Sequence, residues 1–247
     1  MTADPIRLQP TAPLAERVLL PGDPGRALRL AQALLHEPRM FNHHRGLWGY
    51  TGTAADDRPL TIQSTGMGGP SAAIVVTELV ALGARRLIRV GTCAALAPAL
   101  ELGALILARE AISGDGTSRA LGAKGRVAPD GELTDAIARA AGPGLHQGPV
   151  VSTDLFYGGE SAWPGAALAI EMETATLFTI AANKNLQAAS LLIVTDKDGS
   201  RLDANALTAV ERQAGEYAAA ALLGDRATTT PAVPDRATTP PAVPRGG

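Results

Sequence analysis

The sequence is poor in cysteine, aromatics and uninterrupted apolar runs: one Cys, three Phe, three Tyr and two Trp stand among 247 residues. A lone Cys93 excludes an internal disulfide, and the opening MTADPIRLQP lacks the apolar core of a secretion signal, so a cytoplasmic location is expected. Gly, Pro or charge interrupts every hydrophobic stretch before the roughly 20 residues that span a bilayer, and no membrane partner is expected. An excess of one charge is also missing. With 22 Lys+Arg against 24 Asp+Glu the net charge is −2, so no large positive field exists to gather nucleic acid. Four histidines give no metal signature. His43 and His44 point apart in extended chain, and His36 and His146 have no Cys or carboxylate ligand pattern around them.

The chain does have 46% hydrophobic residues, enough to bury the core of one α/β domain. Short Leu-rich and β-branched runs near 18–20, 60–63, 87–90, 104–108 and 191–194 alternate with helical stretches at 24–35, 70–82, 132–141, 171–183 and 204–223. That alternation predicts a mostly parallel sheet covered by helices. After Leu223 the composition changes to GDRATTTPAVPDRATTPPAVPRGG, in which DRATTTPAVP is followed by the near-copy DRATTPPAVP. With almost no large apolar side chain, residues 225–247 are expected to stay disordered beside a domain of residues 1–224.

Five segments bring polar groups to turns beside apolar strands. In LLPGDPGRA (19–27), Asp23 can cap a helix, Pro24 can open it and Gly22 leaves backbone amides uncovered at its positive end. Arg26 runs against the preference for acids there, which suits a bound anion, although a well-formed turn with a solvated Arg explains it equally. In RRLIRVGTC (85–93), Arg89 interrupts an apolar strand that ends in Thr92, and its charge requires an anion or a structural Glu partner. Cys93 reads as a packing residue. The turn STGMGGPSAA (64–73) lacks the spacing of a dinucleotide site. In AIEMETATL (169–177), Glu171 and Glu173 either stabilise a helix start or grip a vicinal diol such as ribose. In LLIVTDKDG (191–199), a strand delivers Thr195 and Asp196 to its carboxyl end, where Asp196 is either a general acid or a turn cap.

Together with HRGLWGYTG and STDLFY, these segments in this order resemble the nucleoside phosphorylase family of hexameric bacterial purine nucleoside phosphorylases and uridine phosphorylases, over most of residues 16–224. The resemblance implies a single-domain, three-layer α/β fold with a mixed central sheet. It implies phosphorolysis of nucleosides, purine nucleosides foremost, to free base and (deoxy)ribose 1-phosphate, with inorganic phosphate as co-substrate and no cofactor. By that resemblance Gly22, Arg26, Arg89 and Thr92 bind phosphate, joined by Arg45 of a neighbouring subunit. Met172 and Glu173 hold the ribose, Phe156 packs on the base, and Met67, Ile170, Glu171 and Thr195 complete the nucleoside site. Asp196 protonates the departing base, assisted by Arg212. A homo-oligomer, a hexamer built as a trimer of dimers, is implied as well. Three alternatives stand beside this: a uridine phosphorylase of the same fold, a hydrolase that uses water in place of phosphate, and a nucleoside-binding regulator without catalysis. Ala94 occupies a position where the family commonly has glycine, and Ile6, Arg7 and Leu8 stand where many purine members have a histidine.

Overall fold

A computed structural model of the chain describes residues 5–157 and 167–223. The predicted disordered tail lies outside them. The apolar run RVLL forms β1 (Arg17–Leu20), fully buried. Asp23 then accepts the Arg26 amide at 2.6 Å and Pro24 opens α1 (Pro24–Leu34), the cap and first-turn proline that the sequence predicts. There follow β2 (His36–Asn42), β3 (Gly49–Thr53), β4 (Pro59–Gln63), α2 (Gly69–Ala81), β5 (Arg86–Ala95), β6 (Leu105–Ser113), α3 (Gly116–Ala120), β7 (Arg126–Val127) and α4 (Gly131–Ala141). The chain continues through β8 (His146–Ser152), β9 (Ala169–Glu171), α5 (Thr174–Lys184), β10 (Gln187–Lys197), β11 (Ser200–Arg201) and α6 (Ala204–Leu223).

The long strands β5 and β10 run parallel, side by side. From β10 the pairing continues antiparallel to β6, parallel to β8 and β9, and returns antiparallel to β5, so five strands close a ring. From β5 an open wing extends through β1, β4, β3 and β2. One apolar cluster lies under α2 and α5, around Val75, Leu79, Leu177 and Phe178. A second lies under α1, α4 and α6, around Leu30, Ile137, Ala218 and Leu222. The result is the three-layer mixed-sheet architecture that the resemblance implies.

Two expectations from hydrophobic periodicity are corrected. The sheet is not mostly parallel, because β2, β3, β7, β9 and β11 are too short or too polar to register as apolar runs, and they supply antiparallel pairings. The helix expected from Glu171 starts only at Thr174. Glu171 instead ends β9, and its carboxylate accepts the amides of Glu173 and Thr174, which turns the chain before the helix begins.

The segment before β1 is tied down by Glu78 of α2, whose carboxylate takes the amides of Ile6, Arg7 and Leu8 at 2.6 to 3.0 Å. Glu78→Ala leaves those donors without their acceptor; Leu8 is the buried one of the three residues, and an unsatisfied buried donor costs about 1–3 kcal/mol. The variant is expected to melt lower and to show accelerated hydrogen exchange at Ile6, Arg7 and Leu8; unchanged exchange there would show that the carboxylate does not hold the segment.

Candidate active site

Arg89 is 5% exposed in the middle of β5, and its charge is answered at once. Its Nε donates to Glu171 Oε2 at 3.1 Å, and its Nη2 lies 2.6 Å from Glu173 Oε2. Burial opposes the charge on Arg89, but the two carboxylates outweigh it and hold the guanidinium above its ordinary value. Glu171 is further engaged by the Ser152 hydroxyl and by the Glu173 and Thr174 amides, which makes it a hub that orients Arg89. Glu173 accepts the Gly68 amide at 2.5 Å, and burial pushes its carboxyl up against the pull of Arg89.

The backbone around this guanidinium is pared down. A Cβ on Gly91 would stand 2.6 Å from Arg89 Cζ, so a side chain there would displace the guanidinium from its present position. A Cβ on Gly22 would meet the Gly66 carbonyl at 3.3 Å and Arg89 Nη1 at 3.9 Å, so the turn after β1 faces Arg89 with bare backbone. Arg26 reaches the same region from α1: it is buried, with Nη1 3.4 Å from the Val90 carbonyl. Its Nε donates to Glu211 Oε1 of α6 at 2.7 Å, and Arg29 clamps the other oxygen of Glu211. The solvated-Arg reading of Arg26 is thereby excluded.

Asp196 lies at the carboxyl end of β10. Thr195 is an extra residue in the β5–β10 ladder, because Val194 pairs with Cys93 and Asp196 with Ala94, and such a bulge re-aims the side chain that follows. The Thr195 hydroxyl is 2.8 Å from Asp196 Oδ2 and 3.3 Å from the Cys93 carbonyl. Asp196, Ala94, Ala95 and the hairpin residues Lys197 to Arg201 line a cavity of about 460 Å³. The described residues therefore hold two buried arginines neutralised by carboxylates and, further along at the carboxyl end of the neighbouring parallel strand, a partly exposed acid beside a cavity.

The family described as Phosphorylase superfamily matches residues 16–224. The chain belongs to the Phosphorylase superfamily. A curated relative from Geobacillus kaustophilus (strain HTA426), named Purine nucleoside phosphorylase DeoD-type, is 39% identical over 215 residues, covering 82% of this chain and 89% of the relative. Relatives of the same name from Caldanaerobacter subterraneus subsp. tengcongensis and Roseobacter denitrificans are 36% and 37% identical, covering 81% and 74% of this chain and 89% and 82% of their own lengths.

Among the residues singled out by superfamily resemblance, Gly22, Arg89, Glu171 and Glu173 are brought together, and Arg26 is turned to Glu211 and the Val90 carbonyl on the strand that carries Arg89. Thr92 is half-buried two residues beyond Gly91's neighbour Val90, on the strand that carries Arg89. Met172 approaches the Gly68 turn, its Cε 3.9 Å from a Cβ built there, and Ile170 packs on the small cluster of Ile112, Val151 and Ala167. Met67 and Phe156 are 85% and 61% exposed, and the Phe156 ring meets Tyr157 edge-on at 4.8 Å. Arg45 is exposed in the turn between β2 and β3, with a left-handed φ of 60°. Arg212 does not join Asp196: it lines a different groove, between α1 and α6, with Nε 3.8 Å from Glu216. Sequence reasoning missed Ser152 and Glu211, since a buried ion-pair partner on a distant helix has no local signature. It also missed Arg201, 2.9 Å from Asp196, for which the Asp198-Gly199 turn was an available signal.

Cys93 is buried, as its packing role predicts, and burial pushes its thiol up, away from thiolate chemistry. Iodoacetamide at mild alkaline pH is expected to leave Cys93 unmodified in the native protein and to alkylate it once unfolded; rapid native alkylation would contradict its burial. Gly91→Ala pushes a methyl group into the Arg89 guanidinium, and overpacking of this kind costs typically about 1–3 kcal/mol. Denaturant unfolding measures that loss, and a variant as stable as the parent would show that Arg89 is free to move aside.

Proposed function

We propose that this protein is a purine nucleoside phosphorylase, and the observation that carries the reading is buried Arg89, paired with Glu173 and facing the bare Gly22 turn, with buried Arg26 reaching the Val90 carbonyl on the same strand and Asp196 on the strand beside it. Inorganic phosphate is bound by Arg26, Arg89, Thr92 and the Gly22 backbone. Two buried guanidinium groups suit an oxyanion nucleophile better than a neutral water. Glu173 accepts hydrogen bonds from the ribose hydroxyls beside Met172, and Phe156, Met67, Ile170 and Thr195 border the nucleoside, while Glu171 positions Arg89.

In the reaction the bond between C1′ and purine N9 breaks, its electron pair entering the base. A phosphate oxygen forms the new bond to C1′, and Asp196 transfers its proton to N7, leaving free base and ribose 1-phosphate. Asp196 then regains a proton from solvent. Holding the nucleophile and sugar together supplies orientation, and a placed general acid contributes about 10²–10⁴ in rate. No cofactor is required. Arg45, carried at the exposed end of the wing, is donated to the site of a neighbouring copy, which makes a dimer the working unit and a hexameric trimer of dimers the full assembly. The protein works in nucleoside salvage in the cytoplasm.

A panel of inosine, guanosine, adenosine and uridine, with and without phosphate, tests the reading. Purine nucleosides are expected to be cleaved only with phosphate, and Asp196→Asn, which has no proton to give, is expected to lower inosine turnover about 10²-fold. Release of base without phosphate would mean hydrolysis, and uridine outpacing every purine nucleoside would overturn the base assignment.

A further inference from the structure

Asp196 already has an arginine, and it is not Arg212. Lys197 and Ser200 pair across a two-residue turn, Asp198-Gly199, in which both residues have positive φ, 48° and 77°. That is the signature of a tight hairpin whose twist matches its strands, and Asp-Gly is a favoured sequence for it. The turn fixes the register: Asp196 faces Arg201 directly across the ladder. Arg201 Nε donates to Asp196 Oδ1 at 2.9 Å, and both residues line the same cavity as Ala94 and Ala95. Lys197 Nζ anchors the hairpin from outside through the Pro98 carbonyl and Glu101, each at 3.1 Å.

Resting on the phosphorylase reading above, we propose that Arg201 is the positioning residue for the general acid Asp196, through which it controls protonation of the leaving base. A guanidinium Nε–H can only donate, so Oδ1 is held as an acceptor and the transferable proton is confined to Oδ2. There the Thr195 hydroxyl, which can donate or accept, is 2.8 Å away. Once the proton passes to N7, the carboxylate that remains is already hydrogen-bonded to a cation, which favours the transfer. The pair is partly exposed, with side-chain accessibilities of 67% for Arg201 and 33% for Asp196, so it adds little to stability and its effect falls on the proton.

The test compares inosine with 7-methylinosine, whose N7 is already alkylated so that its base departs without taking a proton. Arg201→Ala is expected to lower kcat for inosine at least fivefold more than for 7-methylinosine, with KM for phosphate unchanged, and Arg201→Gln, which keeps a hydrogen-bond donor but no charge, to fall between the alanine variant and the parent. Equal losses on the two nucleosides, or an inosine kcat within fivefold of the parent, would overturn the assignment. A parent protein inactive on both nucleosides would instead overturn the phosphorylase reading, so the two failures are distinguishable.

Discussion

A guanidinium inside a β-strand has to be neutralised within reach of its own nitrogens, and in this protein the rest of the site follows from how Arg89 is neutralised. Glu171 and Glu173 lie on either side of Met172, at the junction of a three-residue strand with a helix, and both meet Arg89. Breaking a buried pair by removing one partner leaves an uncompensated charge, which typically costs about 3–5 kcal/mol. The β9–α5 junction, the bare Gly91 beneath the guanidinium and the Gly68 amide on Glu173 are therefore all consequences of one buried cation. The same arrangement leaves Arg89 Nη1 facing the Gly22 turn, the face on which the proposed phosphate is held.

Ring closure explains why the site stands where it does. Parallel pairing of β5 with β10 brings the ends of two strands to one place, and the return through β8 and β9 carries Glu171 against β5. At that end the β5–β10 ladder takes in one extra residue, Thr195, which re-aims Asp196 into the cavity. An unbulged strand would send alternate side chains to opposite faces, and Asp196 would follow the parity of the buried residues before it.

The strands and helices that bury apolar runs were legible in the sequence: β1, β5 and β10 lie where Leu, Ile and Val concentrate, and α1 begins at its capping Asp23 and Pro24. Phosphorylase membership was legible in the joint order of motifs. Periodicity failed where elements are short or polar. HEPRMFN forms a strand although its first five residues are exposed, because it pairs with β3 instead of burying a face. Three residues of AIE form a strand because they close the ring, a fact about distant neighbours that no local window contains. Arg201 is the opposite case: its partner was written locally in the Asp198-Gly199 turn, and counting outward from that turn pairs it with Asp196.

Charge balance in the buried site also bears on its proposed assembly. Arg26, Arg29 and Arg89 pair with Glu171, Glu173 and Glu211, and Arg29 also lies 3.6 Å from Asp23, so the arginines are already matched by carboxylates of the same chain. Phosphate enters as an additional anion, and a desolvated anion without a compensating cation or proton is unfavourable. Burial already pushes the Glu173 carboxyl up toward its protonated form, but a protonated Glu173 would be a weaker acceptor for ribose hydroxyls. Added positive charge from outside resolves the conflict without that loss. On the proposed reading Arg45, exposed on a left-handed turn between β2 and β3, would supply that charge to a neighbouring copy, which gives an electrostatic reason for a shared site.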